Sequence, residues 1–292
     1  MPDEKLAKSN QVIVSTTEPS DTGSQTAKDV ERAAPSPRLS KWQYLQQDVD
    51  PAECTWPLTA FCFMTGFTDA VCFSAIFVWC GFQTGNFTQL ALALARLWEG
   101  PRGMRDYMFH KADQQALCSL LAFFLGSSLG RIGDKVGPHK RSWLIVANFL
   151  ATLFTMAAAL ALWKSGQPSL ALERDLPAWT NALTFVGIAF MSAALGIQGI
   201  MGKRIASNFG TTLVLTTLWI ELINDPKLFR INLVKTRDHR ALGAFALFFG
   251  AFVSRAMLFK IDAAGALGVG VGIRLLMTIG WLWVPAKKPA RK

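Results

Sequence analysis

The feature that most constrains this chain is a series of long apolar stretches separated by short polar connections. A helix needs about 20 consecutive apolar residues to cross the hydrocarbon core of a bilayer, and stretches of that length are rarely needed in a soluble core. The stretches therefore predict a helical membrane protein whose apolar part lies in the bilayer. They cover residues 57–80, 116–130, 143–163, 178–200, 241–259 and 263–284.

The charge of the chain agrees with this class of protein. Charged residues make up 17% of the 292 residues, whereas soluble domains carry about 25%. The net charge of +10 does not indicate a nucleic-acid-binding surface, because Lys and Arg collect on the cytoplasmic loops of membrane proteins and make the total basic. The expected partners are the lipid bilayer and a small-molecule solute, with no nucleic acid.

Two shorter apolar segments, 87–98 and 211–223, interrupt the series. A helix of about 13 residues is only about 20 Å long, which is less than the ~30 Å core of a bilayer. Two topologies remain open: six crossings with two re-entrant segments, or eight crossings. Length favours the first, so we predict an all-α integral membrane protein with six full-length transmembrane helices and two short broken segments. Counting Lys and Arg near the ends of the stretches places both termini in the cytosol in either topology.

The order of long and short segments occurs twice, which predicts a two-fold internal repeat. Gly66 in the first half corresponds to Gly196 in the second, and Gly126 corresponds to Gly250. The polar, Ser- and Thr-rich N-terminal part shows no apolar periodicity, so it is predicted to be disordered. The predicted domains are a cytosolic tail at 1–50, a transmembrane domain at 55–285 with repeat halves at about 57–163 and 178–284, and a basic cytosolic tail at 286–292.

Two runs of the first half carry a resemblance to a known family. Gly66-Phe-Thr-Asp69-Ala-Val-Cys-Phe is followed by Gln83-Thr84-Gly85-Asn86. They resemble the YoaK-like family of uncharacterised transmembrane proteins (domain of unknown function 1275), which has a Gly-x-x-Asp-Ala first helix and a Thr-Gly-Asn turn. In the second half, Gly196-Ile-Gln198-Gly199 and residues 211–217 stand at the family's Gly-x-Gln-Asn and Thr-Thr-x-x-Thr-Gly runs, without the Asn and the second Gly. The resemblance covers about 55–285 and implies a membrane protein with no assigned activity.

Two charged residues lie near the middle of predicted spans, Asp69 in the first and Arg274 in the last. A charge at the centre of a bilayer costs about 3 kcal/mol, and such residues usually mark a pathway or a charge pair. We therefore expect Asp69 and Arg274 to face a common site, paired directly or through a solute or water. Glu221 is the next candidate partner of Arg274.

Other polar residues complete the candidate binding site. Thr84, Gly85 and Asn86 are expected to form an unwound turn at the start of a short helix, where free N–H groups favour anions. The simpler interpretation is an N-cap by Asn86. The second half contributes Gln198, Thr216 and Thr217 at corresponding positions.

The chain carries no recognisable motif for catalysis, metal binding or cofactor binding. Ser-His-Asp, HExxH, Walker and CxxC patterns are absent from the sequence, so we expect no enzymatic activity, no metal and no cofactor. Paired short segments at corresponding positions in two halves are typical of transporters. We therefore expect a secondary transporter of a small solute with a midplane site. The alternative is a membrane scaffold or assembly protein that does not transport.

Overall fold

The computed structural model describes residues 40–171, 178–205, 212–213, 216–230 and 232–288, and this part of the chain is helical apart from turns and two isolated β-bridges. The helices are α1 (Lys41–Leu45), α2 (Thr55–Ile76), α3 (Gln83–Ala95), α4 (Lys111–Ser128), α5 (Gly130–Val136), α6 (Arg141–Ser165), α7 (Ala182–Ile205), α8 (Thr216–Ile223) and α9 (Lys235–Gly280).

Five of the described helical segments are long and apolar enough to cross a membrane: α2, α4 together with α5, α6, α7 and α9. The 46 residues of α9 are interrupted at Asp262, where φ is 62° and ψ is −178°. A straight helix of that length would be about 69 Å long, more than twice the core of a bilayer. The interruption divides α9 into a first arm (235–261) and a second arm (263–280).

The bundle has two ends, which we call end A and end B. End A contains the start of α2 and the finish of α9, because the rings of Phe61 and Trp281 lie 6.1 Å apart between centroids. The start of α6 is also at end A, where Arg141 Nη1 donates to the Trp281 and Leu282 carbonyl groups at 2.9 Å. The first arm of α9 starts there too, since Thr55 Oγ1 lies 3.3 Å from His239 Nε2.

End B contains the finish of α2, the finish of α6 and the starts of α4 and α7. The Gln115 side chain of α4 donates to the Trp179 carbonyl just before α7, at 3.1 Å. The Asn181 side chain donates to the Ser165 carbonyl at 3.0 Å, which joins α7 to the finish of α6. The Ala171 N–H donates to the Ser74 carbonyl of α2 at 2.9 Å. The long helices therefore alternate in direction along the chain.

Glycines allow two pairs of helices to pack backbone against backbone. A Cβ atom added at Gly66 of α2 would lie 2.0 Å from the Leu247 carbonyl oxygen in the first arm of α9, and one at Gly250 would lie 2.1 Å from the Phe63 carbonyl oxygen. The contact between α4 and α7 has the same form. There, a Cβ at Gly126 would lie 2.2 Å from the Ala193 carbonyl oxygen.

The N-terminal tail differs from its prediction over residues 40–50. These residues form α1 and then pack on end A, where Val49 is fully buried. The Val49 N–H donates to the His139 carbonyl at 3.0 Å, and the Lys287 N–H donates to the Asp48 carbonyl at 2.9 Å. Sequence reasoning missed this segment because it is held by a few specific contacts and lacks an apolar periodicity. Residues 1–39 of the tail, and 289–292 at the other terminus, lie outside the described residues.

The close backbone contact at Gly66 gives a direct test of this packing. Gly66→Ala should lower the melting temperature of the detergent-solubilised protein, because an added methyl group with no space costs about 1–3 kcal/mol. Gly272→Ala is the matched control, since a Cβ there meets nothing within 4 Å. Thermal unfolding curves of the two variants should differ by several degrees, and equal curves would contradict the described contact.

Candidate functional site

A non-helical linker, residues 77–82, joins α2 to α3 and turns back into the bundle. Phe77 adopts a left-handed conformation (φ 57°) that ends α2. Asp69 then holds the returning chain, because its Oδ1 accepts hydrogen bonds from the Cys80 N–H at 2.8 Å and the Gly81 N–H at 2.7 Å. Asp69 lies seven residues before the end of α2, so the linker returns about 10 Å along the helix.

Asn86 fastens the same linker from the α3 side. Its Oδ1 accepts from the Trp79 N–H at 3.2 Å, and its Nδ2 donates to the Trp79 carbonyl at 2.6 Å. Ser119 of α4 also donates to the Trp79 carbonyl, at 2.7 Å, and lies 2.8 Å from Ser192 Oγ of α7. The side chains of three helices thus replace the backbone partners that the linker lacks at this depth.

The described part of the second linker, between α7 and α8, meets the same region of α2. Thr65 Oγ1, one turn before Asp69, donates to the Thr212 carbonyl at 3.0 Å. Gln198 of α7 donates to Thr65 Oγ1 at 2.9 Å and to the Phe61 carbonyl at 2.8 Å. The linkers that follow α2 and α7 therefore meet side chains on adjacent turns of α2.

We call this region the linker site and define it by Thr65, Asp69, Gly81, Gln198 and Thr212. All five residues are buried. Gly81 is constrained by space, because a Cβ there would lie 2.9 Å from Asp69 Oδ2 and 3.4 Å from Thr65 Cγ2. The site is therefore compact, with two linkers and two long helices in contact.

Several oxygen atoms at and beside the linker site have no hydrogen-bond partner among the described residues. They are Asp69 Oδ2, Gln198 Oε1, Thr212 Oγ1 and Thr68 Oγ1. A buried polar atom without a partner costs about 1–3 kcal/mol, so each such atom in a native structure calls for an explanation. The linker site can therefore offer acceptors to water or to the donor groups of a solute.

The short helices run outwards from the linker site in opposite directions. α3 leaves Asn86 in the interior and finishes near end B, where Arg96 forms an ion pair with Asp113 at the start of α4. α8 finishes near end A, where Glu221 lies 2.9 Å from Arg240 in the first arm of α9. Neither short helix reaches from one end of the bundle to the other.

Six of the predicted site residues lie outside the linker site: the buried residues Asn86 and Arg274 and four exposed ones. Thr84, Gly85, Thr216 and Thr217 are exposed. The expected unwound turn at 84–86 is wrong, because α3 already begins at Gln83 and the unwound segment is 77–82. The N-cap interpretation of Asn86 is wrong for the same reason, and its side chain bonds back to Trp79 from inside the helix.

Arg274 is fully buried, but the direct pair with Asp69 does not form in the described structure, where neither side chain belongs to an ion pair. Gly270, one turn before Arg274, faces Met64 and Phe67 of α2. Arg274 therefore lies closer to end A than Asp69 does. Glu221 is not its partner either, since Glu221 pairs with Arg240.

Sequence reasoning missed Ser119 and Ser192, which connect α4 and α7 beneath the linker. The sequence offered a signal for Ser119. Gln115 and Ser119 are polar residues four positions apart near the start of an apolar stretch, so they lie on the same face of a helix. No group of three His, Cys, Asp or Glu side chains that could hold a metal ion occurs within the described residues.

The sequence comparisons agree with the family resemblance. The family described as "Protein of unknown function (DUF1275)" matches residues 58–280. The chain belongs to this family. The matched range extends from α2 to the end of α9 and includes both linkers and every residue of the linker site. A search of curated proteins and a search of solved structures each found no match.

The hydrogen bonds of Asp69 predict different effects for two substitutions. Asp69→Asn keeps an Oδ1 acceptor for the Cys80 and Gly81 N–H groups, so the melting temperature should stay close to that of the wild type. Asp69→Leu leaves both N–H groups buried without a partner, at a cost of about 1–3 kcal/mol each, and should unfold several degrees lower. Thermal unfolding in detergent measures both effects.

Asp134→Leu serves as the control, because Asp134 forms a partly exposed ion pair with Arg204 and such pairs contribute about 0–1 kcal/mol. If Asp69→Asn were as destabilising as Asp69→Leu, the negative charge and not the acceptor atom would hold the linker in place.

Proposed function

We propose that the protein is a secondary transporter of a small solute, built from two inverted repeats, with its binding site at the linker site. The observation that carries the proposal is that the first linker, at Cys80 and Gly81, and Thr212 in the connection between α7 and α8 reach adjacent turns of α2, at Asp69 and Thr65. Irregular backbone at membrane depth is tolerated only where protein or a water-filled cavity surrounds it. Transporters place their solute sites at such positions, near the interface of their repeats.

Helix directions support the inverted repeat. In the first half, α2 runs from end A to end B, α3 starts inside and returns to end B, α4 with α5 runs to end A, and α6 runs to end B. In the second half, α7, α8 and the two arms of α9 follow the same order with the ends exchanged. Six segments then cross the membrane and two are re-entrant.

The two glycine contacts support the same symmetry. Gly66 of α2 packs on the first arm of α9, and Gly196 of α7 packs on α4, where a Cβ would lie 2.4 Å from the Phe123 carbonyl oxygen. In each half, the first long helix therefore packs against a helix of the other half. An exchange of the halves converts one contact into the other.

The distribution of Lys and Arg supports a cytosolic end A. Basic residues lie at this end before α2, around the α5–α6 connection and after the second arm of α9. They include Lys41, Lys135, Lys140, Arg141, Lys287 and Lys288. Positive residues concentrate on the cytosolic side of membrane proteins, so both termini belong in the cytosol in this proposal.

The second candidate function is a scaffold or assembly protein. The hydrogen bonds of Asp69 and Asn86 favour it, because they give these residues a structural role that requires no solute. The unpartnered acceptors of Asp69 and Gln198 favour transport, because a static scaffold gains nothing from leaving them without partners.

Cysteine labelling in sealed vesicles tests the six-crossing topology. The native cysteines are replaced, and Arg105→Cys, Lys135→Cys and Lys287→Cys are each treated with a membrane-impermeant maleimide. Lys135→Cys and Lys287→Cys should react from the same side, and Arg105→Cys should react only from the other. Reaction of Arg105→Cys from the same side as Lys287→Cys would establish eight crossings.

The reactivity of Cys80 tests transport without knowledge of the solute. Cys80 is fully buried in the first linker beside Asp69. Alternating access should expose it to a charged methanethiosulfonate reagent from at least one side of a proteoliposome. Cys62, which is also fully buried but lies within α2, should stay unreactive as the control. A Cys80 that never reacts, while Arg105→Cys and Lys135→Cys label fully, would contradict transport and support the scaffold.

A further inference from the structure

Arg274 has the most unusual environment of the charged side chains in the described structure. Its relative exposure is 0%, and none of its three guanidinium nitrogens, Nε, Nη1 or Nη2, has a hydrogen-bond partner in the described part of the chain. A guanidinium keeps its charge in proteins, and an unpaired buried charge is strongly destabilising. The positive charge therefore requires a partner.

The acidic side chains of the described helices do not supply that partner. Asp69 is bound to the linker backbone, and the others are paired elsewhere or lie near helix ends: Asp113, Asp134, Glu221, Asp238 and Asp262. Ten residues separate Arg274 from Val284, the end of the predicted last span. A helix of ten residues is about 15 Å long. The Arg274 side chain is too short to reach the headgroups from there and is fully enclosed by protein.

Arg141 shows how this fold accommodates a buried arginine for structure alone. It is 1% exposed, and its Nη1 donates to two carbonyl groups at the finish of α9, those of Trp281 and Leu282. Its guanidinium also lies 4.2 Å from the centre of the Tyr44 ring. Arg274 has none of these contacts, so its role differs from that of Arg141.

The backbone around Arg274 is nevertheless fixed. Asn148 of α6 donates to the Arg274 carbonyl at 3.2 Å and to Thr278 Oγ1 at 2.8 Å, and Thr278 Oγ1 donates to the same carbonyl at 2.8 Å. Asn148 Oδ1 has no hydrogen-bond partner among the described residues. The backbone at Arg274 is thus held by its neighbours, while the guanidinium nitrogens have no hydrogen-bond partner in the described part of the chain.

We propose that Arg274 recognises a small anion that carries two or more acceptor oxygens, a carboxylate or an inorganic oxyanion. The planar guanidinium presents parallel N–H groups that match such an anion with two hydrogen bonds at once. The negative charge of the solute replaces the missing counter-charge of the protein. This inference rests on the proposed function for the movement of the anion, and it adds a separate anion-recognising position between the linker site and end A.

Thermal unfolding of the full-length protein in detergent tests the anion site. Sodium chloride is replaced stepwise by sodium acetate or by sodium phosphate at constant ionic strength. At least one of the two anions should raise the melting temperature of the wild type in a saturable way, by about 3 °C or more at saturation, because a ligand that binds only the folded state stabilises it.

Three variants separate recognition from packing. Arg274→Gln should lose the response. Arg274→Lys should need at least about tenfold more anion for the half-maximal response, because it keeps the charge but lacks the parallel N–H groups of the guanidinium. Arg255→Gln should respond like the wild type, because Arg255 is an exposed arginine on the same helix. In chloride, Arg274→Gln should be at least as stable as the wild type, since it removes an unpaired charge.

Three results would each overturn the proposal. The first is no response of the wild type to either anion, and the second is a full response in Arg274→Gln. A large fall in the melting temperature of Arg274→Gln in chloride would also overturn it, because the guanidinium would then have a structural partner. An anion response with an unreactive Cys80 keeps the anion site and contradicts transport. A reactive Cys80 without an anion response keeps transport and contradicts anion recognition.

Discussion

The structure depends on how the first linker satisfies its backbone hydrogen bonds inside an apolar bundle. Backbone N–H and C=O groups without partners are too costly at membrane depth, so a non-helical segment there needs side chains in place of a helix ladder. Asp69 Oδ1 accepts from two consecutive N–H groups, and the Asn86 side chain both donates to and accepts from Trp79. These contacts explain why a side chain with an acceptor oxygen occupies the interior of the first long helix.

The same contacts determine where function can arise. They bring the first linker to the level of Thr65, where the second linker and Gln198 also arrive. A straight helix would expose no backbone and no free acceptors at this point. In the proposed transporter, the linkers therefore create the solute site, and the close glycine contacts between helices allow the two halves to share it.

Much of the fold could be predicted from the sequence, because hydrophobic length is a strong and local signal. The break in α9 agrees with the predicted boundary between 241–259 and 263–284. The segment at 40–50 could not be predicted, since its order depends on contacts such as Val49 with residues far along the chain. The cost of burying a charge indicated that Asp69 and Arg274 are interior, and both are buried; Gln198, which was singled out by the repeat, is buried as well. The motif residues Thr84, Gly85, Thr216 and Thr217 are exposed, because a motif does not determine which face of a short helix turns inwards.

Hydrogen exchange at the linker amides shows whether Asp69 holds the first linker inside the bundle. The full-length protein in lipid nanodiscs is placed in deuterated buffer, and peptides that cover residues 77–82 are compared with peptides from the loop at 100–110. We expect slow exchange at the Cys80 and Gly81 amides, although they are not helical, because Asp69 accepts hydrogen bonds from both inside the bundle. Exchange as fast as that of the 100–110 loop would show that the linker lies in solvent, and it would contradict a site built from re-entrant linkers.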